Sequence, residues 1–500
     1  MSTEIQALEK NNTWILVDPP ANHNIIGCKW VFKTKLKSDG SLDRYKARLV
    51  AKGYTQEEGF DYFDTFSPVV KITTIRIILA IASAKNWFLH QLDINNAFLH
   101  GDLNEDIFMQ PPPGYLAPND NRVCKLIKSL YGLKQASRQW FCKLSDSLKL
   151  IGYKQSQADF SLFTKTDNTS FTVLLIYVDD IILAGNSIEE ITAVKTFLHN
   201  KFTIKDIGEL KYILGIEIAR SDKGLNLCQR KYTLDILNEY GYLNSKPYTT
   251  PMDSKLKFSK KDGTILDNPK AYRTLIGKLL YLTVTRPDIA YSVQVLSQFL
   301  SSPTDIHMSA AHRILRYLKN SPGKGLFYPS ISDFCIQGYT DSDWAACLDT
   351  RRSVSGYAFY LGNALISWKS KKQQVVSRSS TEAEYRAAAN AVCEAQWLYY
   401  ILHDLHIHFT SPIIIYTDNK STYHLAHNPI QHQRTKHIEL DCHLIREKIN
   451  SGLISLVHIK NNFQLADIYT KPLGNPLFNQ FAAKMNMMDI HAPLEGAYQE

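Results

Sequence analysis

Two adjacent carboxylates interrupt the most regular strand pattern of this chain. Residues 171–178 form a largely apolar run, Asp179 and Asp180 fall at its end, and residues 181–184 form a second apolar run. This pattern predicts two strands joined by a tight hairpin turn that carries both acids. An unpaired carboxylate inside a fold costs several kcal/mol, so a buried pair would need a cation such as Mg²⁺. An exposed Asp-Asp turn is the alternative.

A third carboxylate, Asp93, stands in another predicted strand, residues 91–97, which follows a predicted helix over residues 70–85. One acid from a strand and two from a hairpin turn can hold two metal ions about 3.5–4 Å apart. Such a pair of ions serves the in-line attack of a 3′ hydroxyl on a nucleoside triphosphate. The third acid therefore favours a nucleotidyl-transfer site over an exposed turn.

A basic hairpin is predicted over residues 28–53. Apolar and basic side chains alternate along its first strand, residues 38–41 have turn chemistry, and a second strand begins at Arg44. Between Lys29 and Lys52 there are eight basic residues and two acids. Such a face can clamp phosphates, and a solvated sheet face is the alternative interpretation.

The composition is that of a folded, basic chain. Its 500 residues suggest about three domains, and 44% hydrophobic against 21% charged residues exclude general disorder. A net charge of +9 suits a polyanionic partner, although an ordinary basic protein has the same balance. None of the eight cysteines has CxxC spacing, which excludes zinc fingers and thioredoxin-like motifs. With no signal peptide and no membrane-spanning run, we expect an intracellular protein with reduced thiols.

The second half of the chain predicts a further α/β unit. Residues 246–269, rich in Pro, Lys, Asp and Ser, indicate a boundary or an exposed connection. Helices are predicted at 188–202, 232–240, 272–283, 308–319 and 381–405, and strands near 334–340, 354–368, 412–417 and 453–459.

This second unit has its own acids. Asp341 and Asp418 end predicted strands, Glu384 lies near the start of the long helix, and Asp467 comes late in the chain. Each has a structural alternative. Thr381 and Glu384 have the spacing of a helix capping box, and Asp418 could cap a helix N-terminus.

In order along the chain, these motifs resemble the reverse transcriptase and ribonuclease H region of copia-type LTR retrotransposon polyproteins. The resemblance extends from about Trp14 to Leu473. Its polymerase motifs are Trp30-Val31-Phe32-Lys33, Arg44 to Gly53, Phe66-Ser67-Pro68-Val69, Gln91-Leu92-Asp93, Asn96 to Gly101, Leu130-Tyr131-Gly132-Leu133-Lys134-Gln135 and Tyr177-Val178-Asp179-Asp180.

The resemblance implies roles for the polymerase residues. Asp93, Asp179 and Asp180 would be the palm carboxylates that bind magnesium, with Asp93 and Asp179 as the expected direct ligands. Phe98 matches the aromatic gate that disfavours a ribose 2′ hydroxyl, and an ordinary core Phe is the alternative. The basic and platform residues expected near triphosphate or template are Lys46, Arg48, Tyr131 and Lys134.

It also implies a nuclease site. Asp341, Glu384, Asp418 and Asp467 match the ribonuclease H order Asp, Glu, Asp, Asp, and the helix pattern selects Glu384 over Glu382. They would hold two Mg²⁺ ions, as would the palm acids, with Mn²⁺ as a substitute. His437 and His458 are candidate auxiliary histidines, with a surface or otherwise satisfied histidine as the alternative. The residues expected to grip the hybrid backbone are Arg351, Arg352, Lys369, Lys371, Lys372 and Arg378.

The fold class implied is α+β and α/β. A right-hand polymerase domain with palm and fingers (11–254) would precede a helical thumb or connection (255–330), a ribonuclease H-like mixed-sheet domain (331–475) and a C-terminal tail (476–500). Motifs of the aspartic protease, the CCHC knuckle and the integrase zinc module are missing from the sequence. A partial polyprotein, or a genomic remnant that begins at the polymerase, is therefore expected.

The expected activities are RNA- and DNA-directed DNA synthesis and cleavage of the RNA in an RNA–DNA hybrid. The expected partners are an RNA template, a DNA primer, the hybrid, dNTPs and, in a full element, integrase and protease. The expected location is a cytoplasmic virus-like particle with passage into the nucleus, and no membrane. A catalytically silent nucleic-acid binder derived from such an element is the main alternative, and a protein-interaction scaffold is the weaker one.

Overall fold

The chain folds as two units, and each unit takes residues from two separate stretches. The computed structural model describes residues 1–21, 23–36, 41–167, 169–409, 411–428 and 438–491. Unit 1 comprises Met1–Lys71 and Phe88–Glu209, and unit 2 comprises Ile72–Trp87 and Leu210–Glu500. This division cuts the chain at other positions than the predicted domain limits 11–254, 255–330, 331–475 and 476–500, which remain a prediction.

Unit 1 is built around antiparallel strands. Its strands are β1 (Trp14–Val17), β2 (Ile25–Ile26), β3 (Cys28–Leu36), β4 (Leu42–Ala51), β5 (Phe88–Ile94), β6 (Asp102–Met109), β7 (Val123–Lys128), β8 (Lys154–Gln155), β9 (Leu162–Asp167), β10 (Ser170–Tyr177), β11 (Asp180–Gly185) and β12 (Ile204–Glu209). Its helices are α1 (Ser2–Lys10), α3 (Ala136–Leu150) and α4 (Ile188–Phe202).

The central sheet of unit 1 has six strands in the order β12-β5-β11-β10-β9-β8. The predicted hairpin of two apolar strands is confirmed as β10 and β11, which occupy the middle of this sheet. Their side chains are buried together with apolar residues of α3 and α4, among them Trp140 and Leu198. The core therefore holds the acidic turn on a rigid support.

Two smaller sheets complete unit 1. One has the order β1-β7-β6-β2, and the other is the two-stranded β3-β4 pair. The predicted basic hairpin is confirmed in β3 and β4, which pair antiparallel from Cys28↔Ala51 to Leu36↔Leu42. Residues 38–40 of its predicted turn lie outside the described residues.

Unit 2 contains one antiparallel sheet, one mixed sheet and the remaining described helices. Its strands are β13 (Tyr212–Ile213), β14 (Ile216–Ser221), β15 (Gly224–Cys228), β16 (Lys324–Pro329), β17 (Ile336–Ser342), β18 (Val354–Leu361), β19 (Ala364–Lys372), β20 (Ile413–Thr417), β21 (Ile454–His458) and β22 (Met487–Asp489). Its helices are α2 (Ile72–Ala84), α5 (Arg230–Glu239), α6 (Pro269–Leu282), α7 (Ala290–Ser297), α8 (Asp305–Lys319), α9 (Ser380–Asp404), α10 (Lys420–His427), α11 (Glu439–Asn450) and α12 (Asn475–Lys484).

The mixed sheet has the order β19-β18-β17-β20-β21. β19, β18 and β17 pair antiparallel, whereas β17, β20 and β21 pair parallel. Helix α9 packs on this sheet and confirms the long helix predicted at 381–405. The single strand predicted at 354–368 is wrong, because a turn at Gly362 and Asn363 folds the segment into the hairpin of β18 and β19.

The C-terminal stretch 476–500 is more than a tail. Its first part belongs to α12, whose Phe478 and Phe481 are buried, and β22 adds a strand to the antiparallel sheet β13-β14-β15-β16-β22. The domain limit at residue 476 remains a prediction, but residues 476–489 pack within unit 2 because their apolar side chains find a core. Among the described residues, no helix is both long enough and apolar enough to cross a membrane.

Candidate active sites

The turn between β10 and β11 brings the three predicted palm acids into neighbouring strands. Tyr177 and Asp180 are partners across the hairpin, so Val178 and Asp179 form a two-residue turn. On its other side β11 pairs with β5, where Asp180 lies opposite Asp93. The sheet order therefore joins residues that are far apart in the sequence.

The core of unit 1 holds this turn in place. Val178 has a φ of +56°, a left-handed conformation that a β-branched residue adopts only under constraint. The indole Nε1 of Trp140 donates a 2.7 Å hydrogen bond to the Val178 carbonyl, and the Ile94 amide donates a 2.9 Å bond to the Asp179 carbonyl. Because Trp140 is fully buried, the turn is anchored from beneath.

The palm acids are half-buried and interact electrostatically. Burial raises the pKa of Asp180, the charges of Asp179 and Asp93 add to the rise, and a 3.1 Å hydrogen bond from the Gln91 amide opposes it. The alternative of a freely exposed Asp-Asp turn is therefore wrong. In the part of the chain that the structure describes, however, these acids do not form a group with all ligand atoms within 4.8 Å.

A basic and aromatic series lies beside the palm acids. The Arg48 guanidinium stacks 4.6 Å from the ring centroid of Tyr131, and Tyr131 meets Phe98 edge-on at 4.9 Å. Burial raises the pKa of the Tyr131 phenol, Arg48 opposes this, and the charges of Asp179 and Asp93 add to it. The structure thus brings three of the predicted binding residues together. Phe98 also packs against both apolar clusters of unit 1, as its structural alternative requires.

The two predicted lysines have other surroundings. Lys46 lies opposite Lys33 in the hairpin, and burial lowers its pKa, helped by the charge of Arg48. Lys134 donates from Nζ to the Gln56 carbonyl at 3.0 Å and to the Tyr62 hydroxyl at 3.2 Å. The Lys134 ammonium therefore fastens one loop of unit 1 to another.

Two glycines of the recognised motifs explain how the basic hairpin docks. A Cβ on Gly53 would overlap the Gly132 carbonyl, and a Cβ on Gly132 would overlap the Ala51 carbonyl. The Ala51 amide donates a 2.7 Å hydrogen bond to the Tyr131 carbonyl at the same place. The base of β4 and the 130–135 loop therefore meet backbone to backbone, which sets the position of Arg48 over Tyr131.

Three of the four predicted nuclease acids converge in unit 2. Asp341 lies in β17, Asp418 directly follows β20, and Asp467 lies in a 3₁₀ turn at Leu465–Tyr469. One carboxylate oxygen from each lies within 4.8 Å of the others. The parallel pairing of β17 with β20 brings Asp341 and Asp418 together, since both stand just beyond the last paired residues Tyr339 and Tyr416.

The capping alternatives for Glu384 and Asp418 are wrong. Ser379 is the N-cap of α9 and accepts a hydrogen bond from the Glu382 amide, while Asn419 caps α10 and accepts from the Thr422 amide. Glu384 is only 7% exposed. Among the described residues, its Oε2 and the Oδ1 of Asp418 are buried without a hydrogen-bond partner. These two oxygens have acceptor capacity that a cation would satisfy.

The nuclease acids repel one another strongly. Burial and the charge of Asp341 raise the pKa of Asp467 to about 7 and that of Asp418 above its ordinary value. Burial and the charges of Asp341 and Asp418 raise the pKa of Glu384 well above its usual range. Crowded, dehydrated carboxylates of this kind are typical of a divalent-cation site, so the residues fit Mg²⁺.

Sequence reasoning missed two residues of this site. Thr470 donates a hydrogen bond from Oγ1 to Asp341, and the Lys471 ammonium lies 2.8 Å from Asp467 and 3.3 Å from Asp341. The spacing of Lys471 four positions after Asp467 is the signal that could have found it. Lys471 occupies the carboxylate cluster as a positive charge supplied by the chain itself.

The auxiliary histidines differ in status. The Nε2 of His458 lies 3.2 Å from the Asp418 carbonyl, which places the ring at the edge of the cluster. His437 lies outside the described residues. Of the basic residues expected near the hybrid, Lys369, Lys371 and Lys372 line a groove of about 430 Å³ between β19 and α9.

Comparisons with known proteins agree with this architecture. Residues 11–254 match the family model described as reverse transcriptase (RNA-dependent DNA polymerase). The chain is 48% identical over 499 residues to the retrovirus-related Pol polyprotein from transposon RE1 of Arabidopsis thaliana, a match that covers 98% of this chain and 34% of that protein. It is also 32% identical to the putative transposon Ty5-1 protein of Saccharomyces cerevisiae, over 61% of this chain and all of that protein.

Among solved structures, the foamy viral protease-reverse transcriptase in complex with RNA/DNA hybrid has a similar fold. The TM-score is 0.50 at 12% identity, over 91% of this chain and 52% of that one. The predicted fold class, a right-hand polymerase followed by a connection and a ribonuclease H-like sheet, is confirmed. The chain spans about a third of the length of the Arabidopsis relative.

Proposed function

The chain belongs to the reverse transcriptase family, as the reverse transcriptase region of a copia-type transposon Pol, and from this premise we propose that it is a bifunctional enzyme. Unit 1 would carry RNA- and DNA-directed DNA synthesis, and unit 2 would cleave the RNA of an RNA–DNA hybrid. The observation that carries the nuclease assignment is the convergence of Asp341, Asp418 and Asp467 from three separate segments. For the polymerase it is the register that sets Asp180 opposite Asp93 beside the anchored turn.

In the proposed synthesis, the 3′ hydroxyl of a DNA primer attacks the α-phosphorus of a dNTP, and pyrophosphate leaves as the new P–O bond forms. Asp93 and Asp179 would hold the metal ions, with Asp180 restrained by Gln91. We assign Arg48 to the triphosphate, because its guanidinium stacks on Tyr131 beside the acids. Phe98 would exclude a ribose 2′ hydroxyl.

The two lysines would act at the edges of the same polymerase site. Lys46 would contact the phosphates of the incoming nucleotide or template along the basic face of β4. Lys134 would orient the template platform through its bonds to Gln56 and Tyr62.

In the proposed nuclease reaction, water attacks a phosphodiester of the RNA strand and the 3′ oxygen leaves. Asp341, Glu384, Asp418 and Asp467 would hold the metal ions, since the raised pKa values of Glu384, Asp418 and Asp467 reflect repulsion that a divalent cation relieves. Thr470 fixes the Asp341 carboxylate, and Lys471 balances part of the negative charge before an ion arrives.

Mg²⁺, or Mn²⁺ in its place, would supply Lewis-acid stabilisation of the transferring phosphate and a lowered pKa for the attacking hydroxyl or water at both sites. The chain's own residues contribute the positions of the acids and the basic surfaces that would hold nucleic acid.

The proposed partners are an RNA template, a DNA primer, the RNA–DNA hybrid and dNTPs. Because the matching part of the Arabidopsis relative is only 34% of that protein, integrase and protease portions are proposed partners in a full element. The proposed location is a cytoplasmic virus-like particle with passage into the nucleus.

The decisive experiment is primer extension on a labelled RNA template with Mg²⁺, in which DNA product and RNA fragments are scored together. Both signals are expected. Protein that still binds hybrid yet gives neither signal would overturn the proposal and favour the catalytically silent binder.

Separate substitutions then assign the two sites. Asp179→Asn is expected to lower synthesis at least about a hundredfold while hybrid cleavage persists, and Asp341→Asn is expected to do the reverse, because each removes one anionic ligand from one site. The exposed Asp146→Asn and Asp267→Asn are matched controls that should retain both activities. The two-site assignment fails if either active-site change abolishes both activities in a folded chain.

A further inference from the structure

Three side chains of different chemistry meet in unit 2 at a place that the proposed catalysis does not use. Glu217 lies in β14, Cys228 ends β15, and His491 follows β22. A carboxylate oxygen, the thiol sulfur and an imidazole nitrogen from these residues all lie within 4.8 Å of one another. We propose that Glu217, Cys228 and His491 bind a zinc ion that ties the C-terminal residues to the antiparallel sheet of unit 2.

The register of the sheet creates the cluster. Glu217 and Cys228 are direct partners across β14 and β15, with Sγ 4.0 Å from the Glu217 Oε2. β16 pairs with β15 on one side and with β22 on the other, where Lys324 lies opposite Asp489. His491, two residues beyond Asp489, therefore comes from the far side of β16 to meet the other two side chains.

Two glycines, Gly323 just before β16 and Gly325 within it, leave space between these strands. A Cβ on Gly325 would stand 2.7 Å from the Cβ of Cys228, closer than real Cβ contacts come. A Cβ on Gly323 would stand 3.1 Å from the imidazole Cδ2 of His491 and closer still to Asp489. Side chains at these two positions would therefore crowd the thiol and the imidazole, as well as the Leu227 carbonyl and Asp489.

The donor set favours zinc over the hard cations. Thiolate, imidazole and carboxylate are the ligands that tetrahedral Zn²⁺ takes, whereas Mg²⁺ and Ca²⁺ take oxygen alone. Three protein ligands leave a fourth position for water. The backbone amide of Lys231 donates a 2.7 Å hydrogen bond to the Glu217 Oε1, which orients the carboxylate and leaves Oε2 facing the thiol.

The cluster is open to solvent on the side of the imidazole. Cys228 is only 2% exposed, whereas His491 is exposed, so an ion would arrive from the imidazole side. Coordination would replace the S–H bond with a sulfur–metal bond and release one proton to solvent.

The test uses Co²⁺ alone as a spectroscopic probe of the full chain, after chelation and under reducing conditions. We expect a thiolate-to-cobalt charge-transfer band whose intensity corresponds to one thiolate-bound Co²⁺ per chain, and Zn²⁺ should remove the band by displacement. Carboxylate sites such as the nuclease cluster also take Co²⁺ but give no such band, so the failure of the proposed function would leave this result unchanged.

Three variants assign the ligands. His491→Ala and Glu217→Gln are expected to raise the dissociation constant for Co²⁺, followed by the charge-transfer band, at least about tenfold. Cys228→Ser is expected to abolish the band. Because His491 is exposed, His491→Ala serves as the decisive variant should Cys228→Ser unfold. The matched controls are the exposed Cys393→Ser and His408→Ala, which should keep the band.

Zn²⁺ should also raise the thermal midpoint of the parent chain by more than that of His491→Ala, in which only the carboxylate cluster remains to take the ion. The proposal is overturned if the parent chain gives no charge-transfer band, or if His491→Ala keeps both the band and the stabilisation by Zn²⁺.

Discussion

Lys471 decides the charge balance of the nuclease cluster at the scale of single residues. Its ammonium contacts two carboxylates, and the charges of Asp341 and Asp467 raise its pKa although burial opposes this. One cation faces four predicted acids, so the cluster keeps excess negative charge. This imbalance is expected to appear both in its pH dependence and in its response to Mg²⁺.

Without divalent ions, unit 2 should become more stable as the pH falls from about 7.5 to about 5. Asp467 has a pKa of about 7 in the folded state against an ordinary 3.8, so the folded state binds its proton more tightly and loses stability as the pH rises through about 7. Each pKa unit is worth roughly 1.4 kcal/mol at most. Thermal unfolding in chelator at several pH values measures this, and Mg²⁺ should flatten the slope. Stability that rises with pH over this window would contradict it.

Lys471→Met should lower the thermal midpoint in chelator and enlarge the stabilisation that Mg²⁺ provides. The ammonium neutralises part of the charge of Asp467 and Asp341 and competes with an arriving cation. Its loss should therefore destabilise the chain while the cluster is empty and increase the stabilisation gained when Mg²⁺ binds. Because the Lys471 side chain is 39% exposed, the effect should be only about 1 kcal/mol. Lys371→Met, at an exposed lysine of β19, is the control. An unchanged Mg²⁺ response would show that Lys471 does not compete.

At the scale of elements, the basic hairpin of β3 and β4 can present Arg48 to Tyr131 only when it packs against the rest of unit 1. β3 and β4 pair with each other and with no other described strand, so their position depends on packing contacts, among them the burial of Leu49 and the close approach of Gly53, Gly132 and Ala51. Those contacts bring Arg48 to Tyr131. Packing of the hairpin against the rest of unit 1 thus helps to place Arg48 near the palm acids.

Gly132→Ala should destabilise unit 1 by several kcal/mol and abolish primer extension. Gly132 has a φ of +95°, and its new Cβ would also overlap the Ala51 carbonyl. Gly208→Ala is a matched control, because Gly208 has a φ of +85° with no atom within 4 Å of an added Cβ. The control should lose only about 1–2 kcal/mol, the cost of the left-handed conformation. Urea unfolding of both variants measures the difference, and equal losses would rule out the docking contact.

For the whole molecule, the division of the chain does not follow its linear order. Helix α2 lies inside the stretch that matches the reverse transcriptase model, yet it packs in unit 2 against β15, β16 and β19. Its Arg76 is buried, donates to the Val284 carbonyl at 2.7 Å and stacks 3.5 Å from the Trp368 ring centroid. These contacts tie residues of the first half to the mixed sheet.

A fragment of residues 11–254 should therefore fold poorly. It lacks β16 and β19, so the apolar side chains of α2 that are buried in the full chain would face water, and each would lose about 1.5–3 kcal/mol of burial. Sedimentation and binding of a hydrophobic dye should reveal aggregation, with the full chain as the reference. A soluble fragment that unfolds cooperatively and extends primers would contradict this expectation.

The local structure was largely predictable from the sequence. The hairpin around Asp179, the basic strands, the helix beginning at Ile72 and the long α9 all follow from apolar periodicity and turn chemistry, which neighbouring residues determine. The predictions failed where a local pattern had two meanings. The spacing of Thr381 and Glu384 indicated a cap, but Ser379 caps α9, and the turn at Gly362 was overlooked.

The sequence by itself determined the family of this protein, its main strands and helices, and the identity of the acids on which the proposed chemistry depends. Only the tertiary structure decided that Asp341, Asp418 and Asp467 converge, that Lys471 enters their cluster, that Arg48 rather than Lys46 reaches Tyr131, and that His491 meets Cys228. The physical reason is that secondary structure arises from nearby residues, whereas these contacts depend on strand order and on close backbone approach between segments far apart in the chain.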